Sequence, residues 1–129
     1  MQSKRCRLVF YGLLSIGAAA CQLVPVQQRE LPSFTWPNRL RVDVHQMNSY
    51  YKSDGPGCAI TITAANLSEQ TIEPSIRLVL LDQNGNTLDQ AVFSFPPINA
   101  GKTATREGYG YQTSCSRVAR VEARAGGLN

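Results

Sequence analysis

Histidine is almost absent from this chain: among 129 residues only His45 carries an imidazole. A nucleophile needs a base held beside it, and no Ser, Cys or Asp near His45 forms a recognised catalytic arrangement. The nine acidic residues show no spacing that singles out a carboxylate pair of the kind glycoside hydrolysis requires. Past residue 38 no stretch repeats apolar residues at three and four, so no amphipathic helix is expected there. The uncharged, largely apolar run 8–20 is shorter than the roughly 20 residues that span a bilayer. These shortages argue against an enzyme, and no cofactor is expected.

Positive charge is plentiful at first sight, with a formal net charge of +4. Its location removes the implication. Lys4, Arg5 and Arg7 lie in the first seven residues, and without residues 1–20 ten basic residues face nine acidic ones. No Lys/Arg stripe remains to neutralise a run of phosphates, so nucleic acid is not an expected partner. The composition, 43% apolar and 17% charged, is that of a folded protein, and the length suits one domain.

A cationic start (MQSKRCR), an apolar core (LVFYGLLSIGAAA) and a small-residue exit are the three parts of a secretory signal peptide, here residues 1–20. Ala18-Ala19-Ala20-Cys21 resembles the lipobox of bacterial lipoproteins, in which the cysteine is lipidated and becomes the new N-terminus. Ala18 stands where that family usually has Leu, and Ala18-x-Ala20 also suits ordinary signal peptidase. Cys6 leaves with the leader, and Cys58 and Cys115 can pair, which leaves Cys21 as the odd thiol in an oxidising compartment. Lipidation of Cys21 would use it; a soluble periplasmic protein is the alternative. Gln22 after the cysteine implies, on the same resemblance, an outer-membrane anchor facing the periplasm.

Residues 21–38 contain Pro25, Pro32 and Pro37 and no sustained periodicity, which predicts an extended tether. From 39 to 125 the period becomes two. Leu40, Val42 and Val44 alternate with polar residues; Cys58 to Ala64, Ile76 to Leu81, Thr87 to Phe95, Lys102 to Arg106 and Ser116 to Arg124 read as further strands. Asn84-Gly85 is preferred chemistry for a tight hairpin turn. Six or seven short strands between turn signals predict a single antiparallel, Ig-like β-sandwich, all-β in class, with 126–129 as a tail. Cys58 and Cys115 are expected to form its disulfide, since a metal site would need two more ligands. Asp82, Asn84 and Asn86 do not make a calcium loop: Gly85 falls at the fourth position and Phe93 at the twelfth, where a Glu is required. No metal is expected.

Asn66-Leu67-Ser68, the run Leu78-Val79-Leu80-Leu81-Asp82 with Gly85, and Asn99-Ala100-Gly101-Lys102-Thr103 together resemble small bacterial Ig-like modules of the FxLYD and YcfL-like kinds. Leu81 stands where those modules carry an aromatic. The resemblance covers about a third of the chain and implies an envelope-exposed accessory domain without catalytic residues.

One group of residues suggests binding. Tyr50, Tyr51 and Lys52 precede Cys58, while Arg106, Tyr109 and Tyr111 precede Cys115, so a disulfide would draw both groups to one end. Tyrosines with flanking cations have the composition of recognition surfaces. Gly108 and Gly110 are expected to leave the side opposite Tyr109 and Tyr111 open. The other reading is that these tyrosines cover the disulfide and cap the core. The expected function is a non-catalytic envelope lipoprotein with an envelope protein as partner; a periplasmic binding module for a small ligand or polymer is the alternative.

Overall fold

Alternation of buried and exposed side chains runs through most strands of the computed structural model, which describes residues 24–25 and 31–128. The leader 1–20 and Cys21 lie outside the described residues. The order is β1 (Val24–Pro25), β2 (Ser33–Trp36), β3 (Leu40–Lys52), β4 (Gly55–Asn66), β5 (Ser75–Leu81), β6 (Thr87–Ser94), β7 (Thr103–Gly110), a 3-10 turn (Cys115–Arg117) and β8 (Arg120–Gly126). They form two antiparallel sheets, β1-β8-β5-β6 and β2-β3-β4-β7. This is the all-β, Ig-like sandwich that the alternation predicts. The chain changes sheet between β4 and β5, again between β6 and β7, and again between β7 and β8, so neither sheet is a simple meander.

Leu40, Val42, Ile60 and Ile62 from one sheet meet Ile76, Leu78, Leu80 and Val121 from the other, with Phe34 and Phe93 among them. Burying each such side chain is worth about 1.5–3 kcal/mol, which makes this layer the main source of stability. Cys58 of β4 is bonded to Cys115, 57 residues away, with 4.8 Å between their Cα atoms. The bond joins the inner side of one sheet to the segment that opens β8 of the other.

Four expectations need correction. Ser33–Trp36, expected in the tether, is a strand paired with β3, and Phe34 is buried beneath it. Pro32 and Pro37 bracket these four residues rather than breaking them, which an edge strand tolerates. The domain therefore begins before residue 39, and β1 pairs with β8 earlier still. At the other terminus β8 runs to Gly126, and Leu128 of the expected tail packs on the core.

Asn84-Gly85 does not form a two-residue turn, which would need positive φ at both residues. Only Gly85 is left-handed, at φ 86°, and the loop is five residues long between the paired Leu81 and Thr87. Asp82 organises it: its Oδ1 accepts from the amides of Asn84 (2.8 Å) and Asn86 (2.9 Å). The last expected strand also starts later, at Arg120, because Cys115–Arg117 is wound into the 3-10 turn.

Candidate interaction surface

A single extra residue decides which tyrosine faces outward. Along β3, Leu40, Val42 and Val44 point into the core, so strict alternation would carry Tyr50 inward as well. The pairing with β4 slips between Val44 and Gln46, leaving His45 as a bulge. Beyond it the parity reverses. Met47 and Ser49, opposite Ile60 and Cys58, now lie on the core side, while Gln46, Asn48 and Tyr50 lie outside. His45 itself bonds across the outer face to Thr63 Oγ1 at 2.6 Å, and Thr63 bonds on to Thr105 at 2.9 Å.

On β7 the register places Tyr109 opposite Ala59, on that same outer face, and Tyr111 lies two residues further along. The three rings meet. Tyr50 and Tyr109 pack edge to face with centroids 5.9 Å apart, and Tyr109 and Tyr111 stack at 6.0 Å. Tyr50 lies across Gly57, where a Cβ would come within 2.4 Å of its ring, so the absent side chain is what lets the ring lie flat on the sheet. Tyr109 donates to Glu107 Oε1 at 2.6 Å, and this bond holds its phenolic proton above the ordinary range. Exposure is 37% for Tyr109 and 59% for Tyr111.

The rest of the expected group is dispersed. Tyr51, opposite Pro56, follows the reverse parity and stands 84% exposed at the hairpin tip. Lys52 shares Tyr50's face, but its ammonium is paired with Asp54 at 3.1 Å, which holds that carboxyl below its usual range. Arg106 pairs with inward-facing Ile62 and so lies on the opposite side of β7 from Tyr109. Glu107, Gln46 and Asn48, on the same outer face, complete the rim.

The bridge and the tyrosines share an end of the sandwich but lie on opposite sides of its sheet. Cys58 faces the core, fully buried, and Ser49 Oγ accepts from the Cys115 amide at 2.9 Å on that inner side. The rings therefore do not cover the disulfide. Nor do Gly108 and Gly110 leave an open side. Both face inward, where a Cβ on Gly108 would lie 2.6 Å from the Phe93 ring and one on Gly110 2.9 Å from Asp89 Oδ2. They allow the edges β6 and β7 to close together.

An open depression of about 480 Å³ lies at the far end of the sandwich, between Asn38-Arg39, the loop Leu67–Gln70, Ile72 and Leu128. Among the described residues no three His, Cys, Asp or Glu side chains gather to hold a metal. The expected lipidation site, Cys21, is outside the described residues. No family model matches the chain, and no match is found among curated proteins or solved structures.

Proposed function

We propose that this chain is a non-catalytic envelope lipoprotein, held to a membrane through Cys21, whose sandwich binds another envelope protein through the tyrosine face. The carrying observation is the contact of Tyr50, Tyr109 and Tyr111 on the outer face of a sheet, with two of the rings substantially exposed. Tyrosine offers a large amphipathic contact area for only two rotatable bonds. Rings already packed on one another lose less freedom on binding than independent ones. The shape favours a protein over a small molecule: small-ligand sites are concave, and this face is the flat side of a four-stranded sheet.

The export part of the reading is supported by the three-part leader and by the cysteine count: with Cys58 and Cys115 joined and Cys6 removed with the leader, Cys21 is the odd thiol of the mature chain. Two measurements test the whole. A photo-crosslinking residue at Tyr111 should yield a discrete protein adduct in the intact envelope, and the same residue at Val92 on the other sheet should not. Equal adducts from both positions, or none from Tyr111, would discard the tyrosine face. Mass spectrometry of the processed chain should find acyl groups on Cys21; a free thiol there would indicate ordinary cleavage and a soluble periplasmic protein.

A further inference from the structure

The outer face of the β1-β8-β5-β6 sheet carries charge in an arrangement that the fold alone does not explain. Arg77 of β5 stands directly opposite Arg124 of β8. Like charges in that position destabilise a sheet. Arg120 joins them on β8, opposite Leu81, with one guanidinium nitrogen donating to the Gln83 carbonyl at 2.9 Å, and the acid that shares their face on β8, Glu122, engages only Arg124, at 3.3 Å. Val92, paired with Arg77 on its other side, is 55% exposed. Three arginines and one glutamate around exposed apolar surface suit an extended anionic partner.

The start of the described chain identifies that partner. Val24–Pro25 pairs with Arg120 and Val121 at the edge of this same sheet. Only Gln22 and Leu23 separate Val24 from Cys21, and three fully extended steps reach at most about 11 Å. A lipid on Cys21 would hold the β1-β8 edge close to the headgroups, not at the far end of an extended tether over residues 21–38.

We infer that the Arg77–Arg120–Arg124 face lies against anionic lipid headgroups of the anchoring membrane, so that the sandwich rests on its β1-β8-β5-β6 sheet and presents the tyrosines away from the bilayer. The two faces are opposite sides of one sandwich, so seating the first exposes the second. Phosphate oxygens between Arg77 and Arg124 would relieve their repulsion and supply the charge-assisted bonds that guanidinium favours. The acyl chains provide the holding force; the arginines orient the domain. This inference rests on the lipoprotein reading for its choice of membrane, and its test does not.

The mature chain with Cys21→Ser, which cannot be acylated, is sedimented with vesicles of phosphatidylcholine alone or with 30% phosphatidylglycerol at low salt. Binding is expected to the anionic vesicles only. A basic residue near such a surface contributes on the order of 1 kcal/mol, so Arg77→Gln and Arg124→Gln should each lower partitioning about fivefold. Each substitution removes half of a like-charge pair, so the fold is retained or made firmer, which a melting curve checks. Arg41→Gln on the other sheet should bind as the parent does. Equal binding to both vesicle types, or an equal loss from Arg41→Gln, would overturn the inference. Acylated Cys21 without vesicle selectivity would overturn the orientation alone, and selectivity without acylation the anchor alone.

Discussion

The two ends of the sandwich are closed by different chemistry. At one end a covalent bond joins Cys58 to the turn before β8. At the other, no bond of that kind exists among the described residues, and one amide side chain takes its place. Asn66, 1% exposed at the end of β4, donates from Nδ2 to the carbonyls of Gln70 (2.7 Å) and Ile98 (2.8 Å). Its Oδ1 accepts from the amide and the hydroxyl of Ser68, at 2.8 and 2.7 Å. Its own backbone bonds to Lys102 and Gly101. Every polar group of the residue is used. The disulfide acts mainly by restricting the unfolded chain, whereas Asn66 acts within the folded one by tying the β4–β5 loop to the β6–β7 loop through a buried side chain. Stability at the first end depends on redox conditions, and at the second it does not.

Reduction separates them most sharply. Opening a loop of 57 residues should cost about 4 kcal/mol on the chain-entropy estimate, a melting-point drop on the order of 20 °C for a domain this small. Calorimetry with and without reductant, or of Cys58→Ser/Cys115→Ser, measures it. A loss below about 1 kcal/mol would mean that the native end is strained or the reduced chain already compact.

Asn66→Ala should come next, at about 2–3 kcal/mol, because four hydrogen bonds made by one buried side chain, including the buried one to the Ile98 carbonyl, are lost together. The sites are far apart and share no partner, so the losses should add to within about 0.5 kcal/mol in the reduced variant. Denaturant titration of the four combinations decides this, and a large coupling energy would show that the two closures are one cooperative unit. The same burial prevents Asn66-Leu67-Ser68 from serving as a glycosylation acceptor in the folded state, although it has the sequence of one.

What could be read in advance follows from these differences. Period-two alternation reports which face is buried, so β3 through β8 and most of the core were visible, and the disulfide followed from the cysteine count together with the expectation of export. The bulge was not. One inserted residue leaves composition unchanged, and its only trace is that the apolar step from Val44 to Met47 is three rather than two. Missing it left Tyr50 and Tyr51 as equivalent candidates, whereas in a strand adjacent residues must face apart. Strand β2 was hidden for another reason: Pro32 and Pro37 dominated a segment whose real signal was the spacing of Phe34 and Trp36. Asn66 was visible as part of a motif, but its role depends on carbonyls 4 and 32 residues away, which no local pattern reveals.

The smallest expected effect comes from a residue that repeats the Asn66 arrangement at the disulfide end. Asp82 Oδ1 accepts the amide two residues ahead, as Asn66 Oδ1 does, but here the acceptor is charged and only half-buried. The bond from the Asn86 amide, foremost, holds its carboxyl below the ordinary value of 3.8. A carboxyl with a lowered folded value adds stability that is complete above the unfolded value and disappears as pH falls through the folded one. The Asp82 contribution should therefore be flat from neutrality down to about pH 5 and fade below pH 4. Asp82→Asn keeps an acceptor oxygen and loses the charge, so its stability should fall less steeply than that of the parent between pH 4 and 2. Asn66→Asp offers the converse: a charge placed where burial disfavours it should make the far end acid-sensitive in the opposite sense, with stability recovering as the new carboxyl is protonated. Parallel acid limbs for parent and Asp82→Asn would show that the turn is held by its backbone bonds alone, and the resemblance between the two ends would then be one of shape without shared energetics.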